Sequence, residues 1–153
     1  MKITKHVTYA EATQTNSQLS NIPSGEQMEK IKLLCEKVFE PLREWVDAPI
    51  KINSIFRSVE VNKAIGGAKN SQHMAIDGSA MDIDDTYGHK TNNEMGLWIM
   101  ENLNHDQIIF ERPINGKSSW IHVSYRQYGN RKQALIFDGK KYLPYKSNKH
   151  LIY

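Results

Sequence analysis

Residues 106–125 read DQIIFERPINGKSSWIHVSY, and this stretch decides the fold class. It holds an apolar, β-branched run at residues 107–111 and a second such run at residues 120–125. Between the two runs, Pro113-Ile114-Asn115-Gly116 has the residue types of a turn. The stretch therefore predicts two antiparallel strands, in which side chains two residues apart share one face.

Further strands and helices are predicted on both sides of this pair. Residues 50–56, 80–84 and 134–137 have strand composition, and Asp138-Gly139 is typical of a hairpin turn. Helical patterns cover residues 24–45, 59–65 and 92–103. The predicted fold is α+β, with helices packed on one face of an antiparallel sheet.

The first long helix carries its own boundary signals. Ser24 and Gln27 have the spacing of a capping box at its start. Pro41 has no amide donor, so we expect the helix to be kinked or split near Phe39. Cys35 lies on the apolar stripe of this helix, which predicts a buried structural thiol and not a nucleophile.

Length and composition favour one globular domain. The chain has 153 residues, a net charge of +3 and one cysteine, which excludes an internal disulfide framework. We expect one domain over residues 1–153, with an N-terminal arm at residues 1–23 and a C-terminal extension at residues 139–153. No apolar run is long enough to cross a bilayer, and the first residues lack the apolar core of a signal peptide. Synthesis in the cytoplasm is therefore expected.

Three residues could form a metal site. His122 is fixed on a strand by its apolar neighbours, and His73 lies in a polar loop. Asp82 lies inside an apolar strand, where an ionised carboxylate needs a partner. Two imidazoles and one carboxylate are a ligand set of catalytic zinc. Two alternatives remain at this point: a buried histidine with ordinary partners, and an edge strand at Asp82-Ile83-Asp84 that alternates between polar and apolar residues.

Five motifs in chain order resemble the zinc D-Ala-D-Ala carboxypeptidase family. The resemblance runs from about residue 21 to residue 133 and implies the fold shared by these wall peptidases, hedgehog signalling domains and the vancomycin-resistance D,D-dipeptidases. Several phage lysis proteins belong to the same group. The motifs are Ile55-Phe56-Arg57-Ser58, Val61-Asn62-Lys63-Ala64-Ile65-Gly66-Gly67, Ser71-Gln72-His73, Gly78-Ser79-Ala80-Met81-Asp82-Ile83 and Trp120-Ile121-His122-Val123-Ser124.

The resemblance implies that His73, Asp82 and His122 hold one Zn²⁺ per chain. The interval between His73 and Asp82 is longer than is usual in the family, so we infer a short insertion near residues 75–77. This insertion leaves Asp77 as a rival ligand.

The general base is less directly implied. Many relatives carry an acidic residue at the position of Ser119, which cannot serve as a base. Phage-type relatives have a strand similar to residues 106–111, and a hairpin with residues 120–125 would direct Glu111 toward the metal. Glu111 is therefore the predicted base, unless it only pairs with Arg112 or solvent. Asp106 is the reserve candidate, although it could instead orient a ligand or cap the strand.

Two more site residues follow from the same resemblance. The matching arginine of the relatives stabilises the substrate carbonyl or its developing oxyanion, which implies this role for Arg57; the alternative is a surface arginine. Ser71 lies two residues before His73 and is implied to donate a hydrogen bond to the substrate.

The implied function is zinc-dependent hydrolysis of peptidoglycan stem peptides at or near D-Ala, as a D,D-carboxypeptidase or an endolysin-like enzyme. A phage-type enzyme would reach the cell wall through a lysis pore or in a virion. We expect a monomer with no nucleic-acid or membrane partner, because the basic residues after Arg126 match no nucleic-acid motif. The alternative, which Ser119 motivates, is a non-catalytic zinc module that binds the wall or a protein.

Overall fold

The computed structural model describes residues 1–146 and 151, so part of the predicted C-terminal extension lies outside the described residues. None of the helices in these ranges has the length and apolar character needed to cross a lipid bilayer. The elements are β1 (Lys2–Thr4), β2 (Val7–Thr8), α1 (Tyr9–Thr13), α2 (Gly25–Leu34), a π-helical turn (Cys35–Phe39), α3 (Glu40–Val46), β3 (Lys51–Ser54), α4 (Val59–Ala64), a 3₁₀ turn (Gln72–Met74), β4 (Ser79–Asp84), α5 (Asn92–Asn102), β5 (Gln107–Glu111), β6 (Trp120–Tyr125), β7 (Gln133–Phe137) and β8 (Tyr142–Pro144).

The main sheet has six strands in the order β3-β4-β6-β5-β7-β8. The predicted α+β class is confirmed, and neighbouring strands are antiparallel with one exception: β5 and β7 are parallel. Strand β6 already lies between β4 and β5, so β7 cannot pair with β6 and joins the sheet at the edge of β5. Because β7 also reverses direction relative to β6, it becomes parallel to β5.

The two faces of the sheet differ in composition and burial. Odd and even positions alternate between faces, and one face carries apolar residues that are at most 2% exposed. Burying each such side chain contributes about 1.5–3 kcal/mol to stability. Helices α2 and α5 cover this core face. The opposite face carries the polar residues of the site. The core face is formed by Met81, Ile83, Ile108, Phe110, Ile121, Val123 and Ile136.

A π-helical turn divides the first long helix at the place where Pro41 predicts an interruption. The amide of Glu40 donates to the carbonyl of Cys35, five residues earlier, immediately before Pro41. The capping box between Ser24 and Gln27 is confirmed. Cys35 is fully buried, and burial raises the pKa of its thiol to about 12. The prediction of a structural thiol agrees with both observations.

The N-terminal segment is more ordered than the predicted arm. Strands β1 and β2 form a small hairpin, and α1 follows with a capping box at Thr8. Val7 and Ala12 are fully buried in the core. The Asn21 side-chain amide donates to the carbonyls of Thr13 and Phe56 at 2.9 and 3.0 Å. Residues 13–24 are mostly polar, and only a few of them make long-range contacts. Their composition therefore gave no sign that this segment packs against the rest of the domain.

Helix α5 approaches the sheet closely at Gly96, where a Cβ atom would lie 2.4 Å from the ring of Phe110. We therefore expect Gly96→Ala to lower the free energy of unfolding by about 1–2 kcal/mol, because overpacking outweighs the gain in helix propensity. Urea denaturation measures the change. The matched control is Gly25→Ala, at a helical position with no atom within 4 Å, which should stabilise by about 0.4–1 kcal/mol. Equal effects of both substitutions would contradict the packing argument.

Candidate metal centre

Three separate elements bring the predicted ligands together. His73 lies on the 3₁₀ turn, Asp82 on β4 and His122 on β6. Asp82 and His122 are direct cross-strand partners, so the register between β4 and β6 fixes their separation. One ligand atom from each of the three residues lies within 4.8 Å of the others. This cluster could hold a metal ion.

The three side chains meet at one carboxylate oxygen. Asp82 Oδ1 lies 3.3 Å from His73 Nε2 and 3.0 Å from His122 Nδ1. The two imidazole rings meet edge to face, with centroids 5.1 Å apart. His73 and Asp82 are buried, whereas His122 is partly open to the cleft.

The hydrogen bonding of His73 tests whether a cation fits. His73 Nδ1 lies 2.7 Å from the carbonyl oxygen of Ile55, which can only accept, so Nδ1 carries a proton and donates it. In the neutral ring, Nε2 then directs a lone pair toward Asp82 Oδ1, which is also an acceptor. Two acceptors in contact need a proton or a metal ion between them. The donor set therefore fits a divalent metal ion.

The protonation tendencies of the ligands favour the metal over the proton. Burial lowers the pKa of His73, although the charge of Asp82 opposes this effect. Burial also opposes ionisation of Asp82, but its electrostatic interaction with His73 and the hydrogen bonds of both histidines hold the pKa of Asp82 well below its usual range. A neutral imidazole beside an ionised carboxylate is the state that zinc binds.

Arg57 makes hydrogen bonds to two of the predicted metal ligands, Asp82 and His73. Its guanidinium lies 3.3 Å from Asp82 Oδ2, and its backbone amide donates to the carbonyl of His73 at 2.9 Å. The alternative of a free surface arginine is therefore wrong, because the side chain is part of the site. The carboxylate of Asp82 uses one oxygen toward the histidines and the other toward Arg57.

Glu111 lies on the site face at the end of β5. In the sheet its neighbours on the adjacent strands are Trp120 on β6 and Phe137 on β7. Burial raises the pKa of Glu111 from its ordinary 4.5 to about 7, with Asp82 adding to the rise and His122 and Arg112 opposing it. The predicted hairpin between residues 107–111 and 120–125 is confirmed, with the register that puts Glu111 and His122 on one face.

Ser71 and Asp77 have different places in the loop between α4 and β4. Ser71 Oγ accepts a hydrogen bond from the amide of His73 at 3.2 Å and caps the 3₁₀ turn. Asp77 is exposed and pairs with Arg126 outside the cluster. Asp77 is thus not brought to the metal site, and the rival assignment is wrong. The turn around residues 75–78 has left-handed backbone at Ala75 and Gly78.

Asp106 anchors the 3₁₀ turn through a hydrogen bond to Gln72. The carboxylate is fully buried and accepts hydrogen bonds from the Arg131 side chain, at 2.8 and 3.0 Å, and from Gln72 Nε2 at 2.9 Å. Burial opposes ionisation, but the hydrogen bonds of Arg131 lower the pKa of Asp106 to about 2. Such a carboxylate is a poor base and a good anchor for the turn that carries His73. Sequence reasoning missed Gln72 and Arg131, since nothing local links them.

A cleft of about 830 Å³ opens over the cluster and Glu111. An aromatic wall, formed by Trp120, Phe137 and Tyr142, borders its Glu111 side. Sequence reasoning also missed Phe137 and Tyr142, which reach the cleft because β7 and β8 add to the edge of β5. Besides the predicted site residues and this wall, the lining includes Lys69, Gln107, Ile109, Arg112, Arg126 and Arg131.

Comparison with known proteins gives one family match. A family model described as Peptidase M15 matches residues 5–124, most of the chain. The match begins inside the N-terminal hairpin and ends on β6, so it includes all three cluster residues. No curated protein sequence matches the chain.

The geometry of the cluster predicts that zinc binding depends on the carboxylate of Asp82. Asp82→Asn should reduce bound zinc from about one ion per chain to near zero, because a neutral amide is a weak zinc ligand. Elemental analysis of dialysed protein measures the zinc content, and circular dichroism checks the fold. Asp77→Asn, which neutralises the excluded rival, should retain the metal. A zinc-loaded Asp82→Asn variant would contradict the assignment.

The raised pKa of Glu111 predicts a pH effect on the metal-free protein. The unfolded chain releases this proton near 4.5 and the folded chain near 7, so the folded state binds more protons in this interval and loses stability as pH rises. Relative to Glu111→Gln, the wild type should therefore lose about 1–3 kcal/mol of unfolding free energy between pH 4.5 and 7. Urea denaturation of both proteins across this range measures it. A constant difference would contradict the assigned pKa.

Proposed function

Because the chain belongs to the peptidase M15 family, a family of zinc-dependent hydrolases, we propose that it hydrolyses the stem peptides of peptidoglycan at or near D-alanine. The observation that carries this proposal is the cluster of His73, Asp82 and His122 beside Glu111 in one cleft. The proposed setting is lysis or remodelling of a bacterial wall by a phage-type enzyme, for which the net charge of +3 suits an anionic polymer.

The metal would be held by His73 Nε2, Asp82 Oδ1 and His122 Nδ1, the three atoms that converge. When bound, zinc supplies a Lewis acid that acidifies water and polarises an amide carbonyl. Three protein ligands are typical of catalytic zinc sites, in which a further position remains open to water or substrate.

Glu111 is the proposed general base. A carboxyl group with a pKa of about 7 can accept a proton at neutral pH and return it later in the same turnover. In this scheme Glu111 takes a proton from the attacking water. The same proton then passes to the nitrogen of the leaving amine when the amide bond breaks.

Arg57 and Ser71 are the proposed groups that hold the substrate. The Arg57 guanidinium is fixed by Asp82 through one nitrogen, which leaves other N–H groups for the carbonyl oxygen as negative charge develops on it. The Ser71 oxygen accepts the amide of His73, so its O–H proton remains available for a substrate carbonyl.

Replacement of Glu111 tests the proposal. Glu111→Gln should retain zinc but lower hydrolysis of purified muropeptides by about 10²–10⁴-fold, because the amide cannot accept a proton. Mass spectrometry of the products, with and without a chelator, reports activity, scissile bond and metal dependence together. The matched control is Glu101→Gln, which makes the same change at an exposed position on α5 and should leave activity unchanged.

Two results would contradict this scheme. Unchanged hydrolysis by Glu111→Gln would mean that another group is the base. A zinc-loaded wild type that cuts no muropeptide would instead support the alternative of a non-catalytic zinc module that binds the wall or a protein.

A further inference from the structure

The cleft contains a guanidinium that has no anionic partner in the described part of the chain. Arg112 follows Glu111 directly, and among residues 1–146 and 151 its side chain makes no ion pair or hydrogen bond. It lies instead over two rings of the aromatic wall. The distance from its guanidinium carbon to the ring centre is 5.9 Å for Trp120 and 5.6 Å for Phe137.

The backbone turns Arg112 toward these rings. In a regular strand, residue 112 would point to the face opposite Glu111. Arg112 instead has φ +44°, a left-handed conformation that is unusual for a residue with a side chain. Two hydrogen bonds hold it there: its amide donates to the Phe137 carbonyl at 2.6 Å, and its carbonyl accepts from Ser119 Oγ at 2.8 Å.

The other arginines that line the cleft are already paired. Arg57 contacts Asp82, Arg126 contacts Asp77, and Arg131 contacts Asp106. Arg112 differs because the rings hold its position through the face of the guanidinium and consume none of its donors. A planar fork of N–H groups in a fixed position matches the geometry of a carboxylate.

We propose that Arg112 binds a free carboxylate on the leaving amino acid of the peptide substrate and so directs the cleft toward C-terminal residues. This inference rests on the proposed function, in which Glu111 protonates the leaving amine. In a C-terminal residue, one carbon separates that amine from the α-carboxylate. A donor fork in the residue next to Glu111 is therefore in the region where this carboxylate must lie. The substrate class is a peptide whose terminal residue has an unblocked α-carboxylate.

Two peptides that differ only at the C-terminus test the inference. The probes are diacetyl-L-Lys-D-Ala-D-Ala and the same peptide with a C-terminal amide. The zinc-loaded wild type should cleave the acid with a kcat/KM about 10- to 100-fold higher than the amide, the range expected for a hydrogen-bonded charge pair. Arg112→Gln should lose this preference by slowing cleavage of the acid alone.

Two further variants separate binding from general charge effects. Arg112→Lys should keep part of the preference, because it retains the charge without the fork. Lys117→Gln removes one positive charge from the exposed loop between β5 and β6 and should keep the full preference. An equal loss of activity toward both peptides in Arg112→Gln, or a wild type without preference, would overturn the inference.

Calorimetric titration distinguishes this inference from the proposed function. If the zinc-loaded wild type cleaves neither these peptides nor purified muropeptides, the proposed hydrolysis at or near D-alanine fails. The carboxylate site then stands only if the wild type binds the acid more tightly than the amide and Arg112→Gln binds both equally. Equal binding of both peptides by the wild type would overturn it as well.

Discussion

The buried carboxylate of Asp82 is the constraint on which the site depends. An ion in the middle of a sheet is stable only if its oxygens are matched by partners, since its desolvation is costly. One oxygen meets His73 and His122, and the other meets Arg57. These partners come from the 3₁₀ turn, from β6 and from the segment after β3. The carboxylate thus ties together parts of the chain that are distant in sequence.

Strand register turns this local requirement into a property of the whole fold. Because side chains alternate between faces, the strands that place Asp82, His122 and Glu111 in the cleft also place Ile83, Ile121 and Phe110 in the core. A slip of one residue would exchange the two sets, burying carboxylates and exposing apolar groups. Packing on one face therefore specifies the geometry on the other.

Local sequence patterns predicted the bounds of β5 and β6 and the helix interruption before Pro41. The convergence of His73, Asp82 and His122, which are distant in sequence, was implied by the motifs that resemble a known family. Long-range features without such a motif were missed. The parallel pairing of β7 depends on which edge of the sheet it joins, and the bonds from Asp106 to Gln72 and Arg131 join residues that are 25 to 34 positions apart. No periodicity or spacing signals such contacts.

Glu111 shows how the fold maintains a group that costs stability. A carboxyl group with a pKa near 7 is destabilising when ionised, and an adjacent arginine would ordinarily relieve that cost. Here the left-handed backbone of Arg112 and the rings of Trp120 and Phe137 hold the guanidinium without an ion pair to Glu111. The carboxyl group keeps its affinity for a proton, and the guanidinium keeps its donors. Pairing the two would stabilise the fold and remove the chemistry that each can perform.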